Sequence, residues 1–310
     1  MRRIPSLLQT FVLALLLLCQ AASGKVLENL PYKPADGLTD YEKERCLLDL
    51  YIPDGRRNFP TLIWLHGGAL TGGWKNDAPV VAVAKRFASA GIAVAVVGYR
   101  LSPHVNFPAY IEDTAAAFAW VHSHIAEYGG DPNKVFLGGH SAGGYLSSMV
   151  GMDPRYLEKH GLDQHAIAGL IPVSGQMMTH FTVRKEQGID ENTIIADEKA
   201  PIYFTRSDTP PMLIIFGDRD WPARLEENQY FAAVQKAAGN NAIELQVFKD
   251  RDHGSIADRL ADPGGVVLRH VADGGLPRAH LLGRERLAVD DQHRDHGLAR
   301  PSGPCSPGPA

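Results

Sequence analysis

Between residues 46 and about 260, short runs rich in β-branched and aromatic residues alternate with longer stretches of helical periodicity. That alternation predicts an α/β fold with a mostly parallel central sheet and helices on both faces, because parallel neighbours need crossovers long enough to hold a helix. Strands are predicted at Leu47–Ile52, Thr61–Leu65, Ile92–Val97, Lys134–Leu137, Ile167–Val173, Met212–Phe216 and Ile243–Phe248. Several are continuous apolar runs, the pattern of a strand covered on both faces. Helices are predicted at Pro79–Ser89, Ala109–Tyr128, Ala142–Val150 and Leu225–Ala238. In the second of these, Ile111, Ala115, Phe118, Ala119 and Ile125 recur at helical spacing before Gly129-Gly130 ends the run, so it reads as an amphipathic cover helix.

The chain has 310 residues, 45% of them hydrophobic, enough apolar material for one large core, and a single domain is expected over residues 25–261. A net charge of -4 gives no reason to invoke nucleic acid or an anionic membrane, both of which reward clustered Lys and Arg. Arg2 and Arg3 precede the apolar run Phe11–Leu18, and Ala21, Ala22 and Ser23 follow it, so residues 1–24 read as a secretory signal peptide. The run falls short of the roughly 20 apolar residues of a stable membrane span. Cleavage is expected near Ser23 or Gly24, giving a secreted or periplasmic protein. Of the cysteines left, Cys46 and Cys305 lie at opposite ends, so no disulfide framework follows, and Cys46 reads as a small buried hydrophobe.

After about Asp262 apolar periodicity fades into Gly264-Gly265, Gly274-Gly275, repeated Arg, His and Asp, and a Pro-rich end. Residues 262–310 are expected to be a disordered tail, or the product of a shifted reading frame that replaces a closing helix. The stretch 153–210 is long for a crossover and is expected to hold a cap over the substrate pocket.

The chemistry centres on Gly139-His140-Ser141-Ala142-Gly143, which follows a predicted strand and opens a small-residue helix. Strand, sharp turn and helix is the setting of a nucleophile elbow, where small neighbours let the chain turn and lift the serine hydroxyl above the sheet edge. A serine hydroxyl is a poor nucleophile at neutral pH, so it needs a base and a third group that fixes the base's tautomer. The strand at 212–216 runs into Gly217-Asp218-Arg219-Asp220, and the next, at 243–248, runs into Asp250-Arg251-Asp252-His253. Parallel strands end on one edge, so His253 and an acid from the preceding loop are placed to converge on Ser141, in the order Ser, Asp, His. Alternation leaves Asp218 and Asp220 open, because residues two apart point the same way. The turn His66-Gly67-Gly68-Ala69 is positioned to present the amides of Gly68 and Ala69 beside that of Ala142 as an oxyanion hole.

Taken with Gly98-Tyr-Arg-Leu-Ser-Pro103, Gly130-Asp-Pro132 and the longer runs His66–Lys75 and Gly138–Gly144, these motifs resemble the α/β-hydrolase superfamily. The likeness is to its carboxylesterase and feruloyl-esterase-like (BD-FAE-like) branch, near the hormone-sensitive-lipase-type esterases, and covers residues 45–258. The resemblance implies the α/β-hydrolase fold, a small-molecule ester substrate, and a Ser141, His253, Asp220 triad, the second Asp of Gly-Asp-x-Asp being the one that matches. Ala69 stands where lipase-type members often carry a third glycine, and no closing helix is recognisable after His253. Ester hydrolysis through an acyl-enzyme is therefore expected, with no metal and no cofactor. Arylformamidase-like or peptidase-like amide hydrolysis and a non-catalytic hydrolase-fold binding protein are the alternatives. Trp74, Gln176, His180 and Trp221 lie near the motifs as pocket-lining or packing residues, and the oligomeric state is left open.

Overall fold

The computed structural model describes residues 24–260 and 266–272. The proposed signal peptide, apart from Gly24, and the tail, apart from 266–272, lie outside the described residues. Eight strands are described: β1 (Lys25–Pro31), β2 (Leu47–Ile52), β3 (Phe59–Leu65), β4 (Ala93–Val97), β5 (Gly130–His140), β6 (Gly169–Val173), β7 (Met212–Arg219) and β8 (Ile243–Asp252). They form one sheet in the order β1-β2-β4-β3-β5-β6-β7-β8. The pairs β1·β2 and β2·β4 are antiparallel, and every pairing from β4 to β8 is parallel.

Alternation along the strands sorts the core into two layers. Ile63 and Leu65 of β3, with Leu137, Ile214 and Phe216, face α3 (Ala109–His124), α4 (Ala142–Met152) and α7 (Arg224–Ala237), whose Phe118, Leu146 and Phe231 complete that cluster. Leu62 and Trp64, with Val94, Val96, Leu213 and Ile215, face the other way, onto Val83 and Phe87 of α2 (Ala78–Ser89). Helix α1 (Asp40–Arg45), α5 (Arg155–Glu158) and α6 (Phe181–Glu186) are short connectors. Strands β3, β4 and β6 are buried along their whole length, which is why their apolar runs are unbroken. Strand β1 is the reverse: an edge strand, mostly exposed, with a register shift between Leu27 and Leu30 and Asn29 at φ 58°.

One short segment of the tail is described. Within the stretch read as a disordered or frame-shifted extension, α8 (Val266–Ala272) is a helix whose Val267 and Val271 are buried in the second apolar cluster. Val267 and Val271, with Leu268 packed partly against the same cluster, are too short a run to register as periodicity against the surrounding Gly and charged residues. Val271→Asp, which puts a carboxylate into that layer, is expected to cost about 3 kcal/mol. Urea unfolding checks it: a midpoint within error of the parent would mean that α8 does not pack there.

Candidate active site

The turn between β5 and α4 is built by two glycines. A Cβ on Gly143 would sit 2.3 Å from the Leu65 carbonyl oxygen, and one on Gly139 would sit 2.6 Å from the Gly143 backbone. Only glycine allows strand and helix to approach so closely. Ser141, between them, is held at φ 55° and ψ -113°, a conformation that L-residues rarely adopt. Its amide donates to Val173 O at 2.8 Å, which ties the turn to β6.

Strands β7 and β8 are adjacent and parallel, with Arg219 opposite Asp252. The next residue on each is Asp220 and His253, so the pairing itself sets acid beside base. His253 Nδ1 lies 2.7 Å from Asp220 Oδ1, and His253 Nε2 lies 2.9 Å from Ser141 Oγ. With the Nδ1 proton held by the carboxylate, Nε2 is left to accept from the serine hydroxyl. Asp218 is exposed and accepts instead from the Arg251 amide at 3.2 Å, so the acid that reaches His253 is Asp220.

Three further contacts brace this pair, and sequence reasoning missed two of them. Ser174, fully buried after β6, donates its hydroxyl to Asp220 Oδ2 at 2.5 Å. The signal for it was positional: β6 lies between β5 and β7, so the residue leaving its end reaches the same edge. His140 Nε2 lies 2.6 Å from the His253 carbonyl oxygen. Burial, with His253 nearby, pushes His140 down to about 4 despite that bond, so the ring is neutral and donates Nε2–H. Trp221, one of the residues flagged from sequence, stacks on the His253 ring at 3.9 Å and 14°.

Opposite Ser141 runs the turn 66–75, where Gly68 (φ 108°), Ala69 (φ 57°) and Leu70 (φ 63°) are all left-handed. Ala69 thus occupies a glycine-like position, at a strain of about 1 kcal/mol. A Cβ on Gly67 would stand 3.4 Å from Ser141 Cβ, so this turn borders the hydroxyl. Among the described residues the amides of Gly68, Ala69 and Ala142 donate to no protein acceptor. The turn is pinned from several directions. Tyr99 Oη donates to His66 O at 2.8 Å, Ser102 N to Leu70 O at 2.8 Å, and Thr182 Oγ1 to Ala69 O at 2.5 Å. Arg45 donates to Gly73 O at 2.9 Å, and buried Lys75 pairs with Asp49 at 2.6 Å. A cavity of about 450 Å³ lies beside the turn, lined by Trp64, His66, Gly67, Gly68 and His140 among others.

The remaining flagged residues act as packing. Trp74 lies under the Arg45 guanidinium, 4.1 Å from its carbon. His180 is buried and accepts from Thr182 N at 3.2 Å, while Gln176 accepts from Phe181 N at 3.1 Å, so both shape the start of α6. Through Thr182, the segment after β6 is anchored to the turn 66–75. Cys46 is buried and its thiol is pushed up to about 11 by burial, which makes it inert. Among the described residues, no three His, Cys, Asp or Glu side chains cluster to hold a metal ion.

The profile of the BD-FAE family matches residues 48–233, a span that takes in β2 to β7, the elbow and Asp220. The chain belongs to the BD-FAE family. This BD-FAE chain is 26% identical to "Esterase LipC" of Mycobacterium tuberculosis over 73% of its own length and 55% of the relative's. To "Carboxylesterase NlhH" of the same organism it is 37% identical, over 37% of its own length and 34% of the relative's. It thus spans about half the length of the curated relatives it matches, 55% of LipC and 56% of LipQ. Among solved structures, a truncated carbohydrate esterase from gut microbiota superposes with a TM-score of 0.64 at 22% identity, covering 82% of this chain and 96% of that one. The apo form of Thermogutta terrifontis esterase 2 superposes with a TM-score of 0.59 at 25% identity, covering 76% and 87%. Together with the eight-stranded sheet, these likenesses establish the α/β-hydrolase fold.

Burial pushes the Asp220 carboxyl up, but hydrogen bonds from His253 and Ser174, the attraction of His253 and the Trp221 amide outweigh it and hold the group below the usual carboxylate range. A carboxyl lowered by folding contributes stability that is present above its unfolded value, about 3.9, and is lost as pH falls through the folded one. Ser174→Ala removes one of the lowering bonds, so that loss begins at a higher pH. The acid-unfolding midpoint, followed by far-ultraviolet circular dichroism, is expected to move upward; an unmoved or lowered midpoint would contradict the bond.

Proposed function

We propose that this chain hydrolyses carboxylic esters through an acyl-enzyme formed on Ser141. The observation that carries the reading is the unbroken hydrogen-bonded run from Asp220 through His253 to Ser141 Oγ, at 2.7 and 2.9 Å, facing a turn with unpaired amides. In this mechanism His253 Nε2 takes the hydroxyl proton as Oγ attacks the ester carbonyl. The oxyanion settles on the amides of Gly68, Ala69 and Ala142, where preset dipoles need no reorganisation. His253 then returns the proton to the departing alcohol and activates the water that releases the acid. Asp220 holds the imidazole in the tautomer the cycle needs and stabilises it when charged. The likeness to LipC, an esterase, and NlhH, a carboxylesterase, supports the reaction class.

A fluorophosphonate probe is expected to label the mature protein at one serine, and Ser141→Ala to lose the label along with hydrolysis of p-nitrophenyl acetate. Labelling unchanged in that variant would end the reading, and turnover of amides in place of esters would move it to the amide hydrolases. The oxyanion turn has its own test. An added Cβ at Gly68 would lie 2.2 Å from the Gly72 carbonyl oxygen, so Gly68→Ala distorts the turn. It is expected to lower kcat on the order of a hundredfold, with a much smaller change in KM.

We also infer export, from the charged and apolar pattern of residues 1–24. Amino-terminal sequencing of protein from the medium or periplasm is expected to begin near Lys25, and an intact Met1 there would refute it.

A further inference from the structure

Arg224 opens helix α7 with only 9% of its surface exposed. Its guanidinium carbon lies 5.4 Å from the Trp221 ring centre and 5.9 Å from that of Phe181. Those two rings belong to opposite banks of the site. Trp221 stacks on His253, and Phe181 precedes Thr182, which holds the Ala69 carbonyl of the oxyanion turn. The guanidinium therefore neighbours one ring that stacks on His253 and another next to the residue that holds the Ala69 carbonyl.

Among the described residues it is matched to nothing. Arg100 is bonded to Asp113 at 2.7 and 2.8 Å, Arg184 to the Thr179 carbonyl at 2.8 Å, and Arg155 to Asp153 at 2.8 Å. The Arg224 side chain donates no hydrogen bond and has no carboxylate within salt-bridge distance. The acids around it are already engaged. Asp220 accepts from His253, Ser174 and the Trp221 amide, and Glu227 accepts from the amides of Met177 and Met178. The other neighbours do not help: His180 is held neutral by burial, and Arg184 carries a like charge.

The position is unfavourable on three counts. Most of the side chain is removed from water with no protein acceptor given in return, which is unfavourable. It stands at the positive end of a 14-residue helix, which Glu226 and Glu227 in the first turn offset only in part. Ala223, the residue before the helix, supplies no side-chain cap. Such a site is completed by an anion that brings its own acceptors. A carboxylate matches the planar fork of one guanidinium, and the two flanking rings take the apolar body that carries it.

We propose that Arg224 is a specificity-determining residue that binds a carboxylate on the substrate, so that the preferred esters are half-esters or hydroxy-acid esters bearing a free acid group. The proposal rests on the ester-hydrolase reading of the same site. It is tested with two matched pairs: mono-p-nitrophenyl adipate against p-nitrophenyl hexanoate, where the acid is on the acyl side, and 4-acetoxybenzoate against its methyl ester, where it is on the alcohol side. The quantity read is the ratio of kcat/KM for the acid to that for the neutral partner. In one pair the wild-type ratio is expected to exceed one and to fall as salt is raised. Arg224→Met is expected to lower it by about tenfold or more, the worth of one hydrogen-bonded charge, and Arg224→Lys by less. Turnover of the neutral esters with wild-type ratios below one in both pairs, or ratios that Arg224→Met leaves unchanged, overturns the proposal and leaves the ester reading standing. Absence of serine-dependent turnover of all four esters removes both. The wild-type salt dependence needs no variant, so a variant that fails to fold does not shield the idea.

Discussion

The parallel pairing of β5, β6, β7 and β8 governs everything that happens at the site. Parallel strands deliver their carboxyl ends to one edge, so the residue leaving each strand becomes a neighbour of the residue leaving the next. Ser141 leaves β5, Ser174 follows β6, Asp220 leaves β7 and His253 leaves β8. Four side chains from distant parts of the chain thus form one hydrogen-bonded row without any loop having to reach far. A slip of one residue between β7 and β8 would carry Asp220 away from His253 and would also turn Ile243 and Leu245 off the cluster they pack in. The register opposing Arg219 and Asp252 is therefore as necessary to the chemistry as the side chains.

Strain is concentrated where the chemistry is. Ser141, Ser174, Ala69 and Leu70 all hold positive φ without being glycine. Each is over-determined by its surroundings: the amides of Ser141 and Ser174 bond to β6 and β7, the Ala69 carbonyl to Thr182 and the Leu70 carbonyl to Ser102. The turn 66–75 is fixed by bonds from its carbonyls to the body of the fold, while the amides of Gly68 and Ala69 donate to no protein acceptor among the described residues. The buried Lys75–Asp49 pair at the end of that turn has the same effect, since neither charge can move without abandoning the other.

Much of this was legible in the sequence, and the failures have physical causes. The strands β3, β4 and β6 read clearly because they are buried on both faces, where apolar residues run on without interruption, and β8 read from its alternation of apolar and polar residues. Strand β1 escaped because an edge strand with Glu28 and Asn29 outward carries no such run, and α8 escaped because it is a short helix set among glycines and charged residues. The order Ser141, Asp220, His253 was readable because each follows a strand, and the choice of Asp220 over Asp218 came from the family resemblance and not from alternation, since it depends on where β7 stops and turns. Ser174 hid because a serine after a strand is ordinary until the strand order is known. Arg224 looked like any charged residue opening a helix, and only the packing of Trp221 and Phe181 around it removes it from water.

Strand β8 has one further consequence. It is the last strand of the sheet, bonded on one side only and half exposed along most of its length, yet it delivers the base. Its outer margin opens more readily than the buried centre around β3 and β5. Local opening of that margin would part His253 from Asp220 and Ser141 while the central strands stay paired.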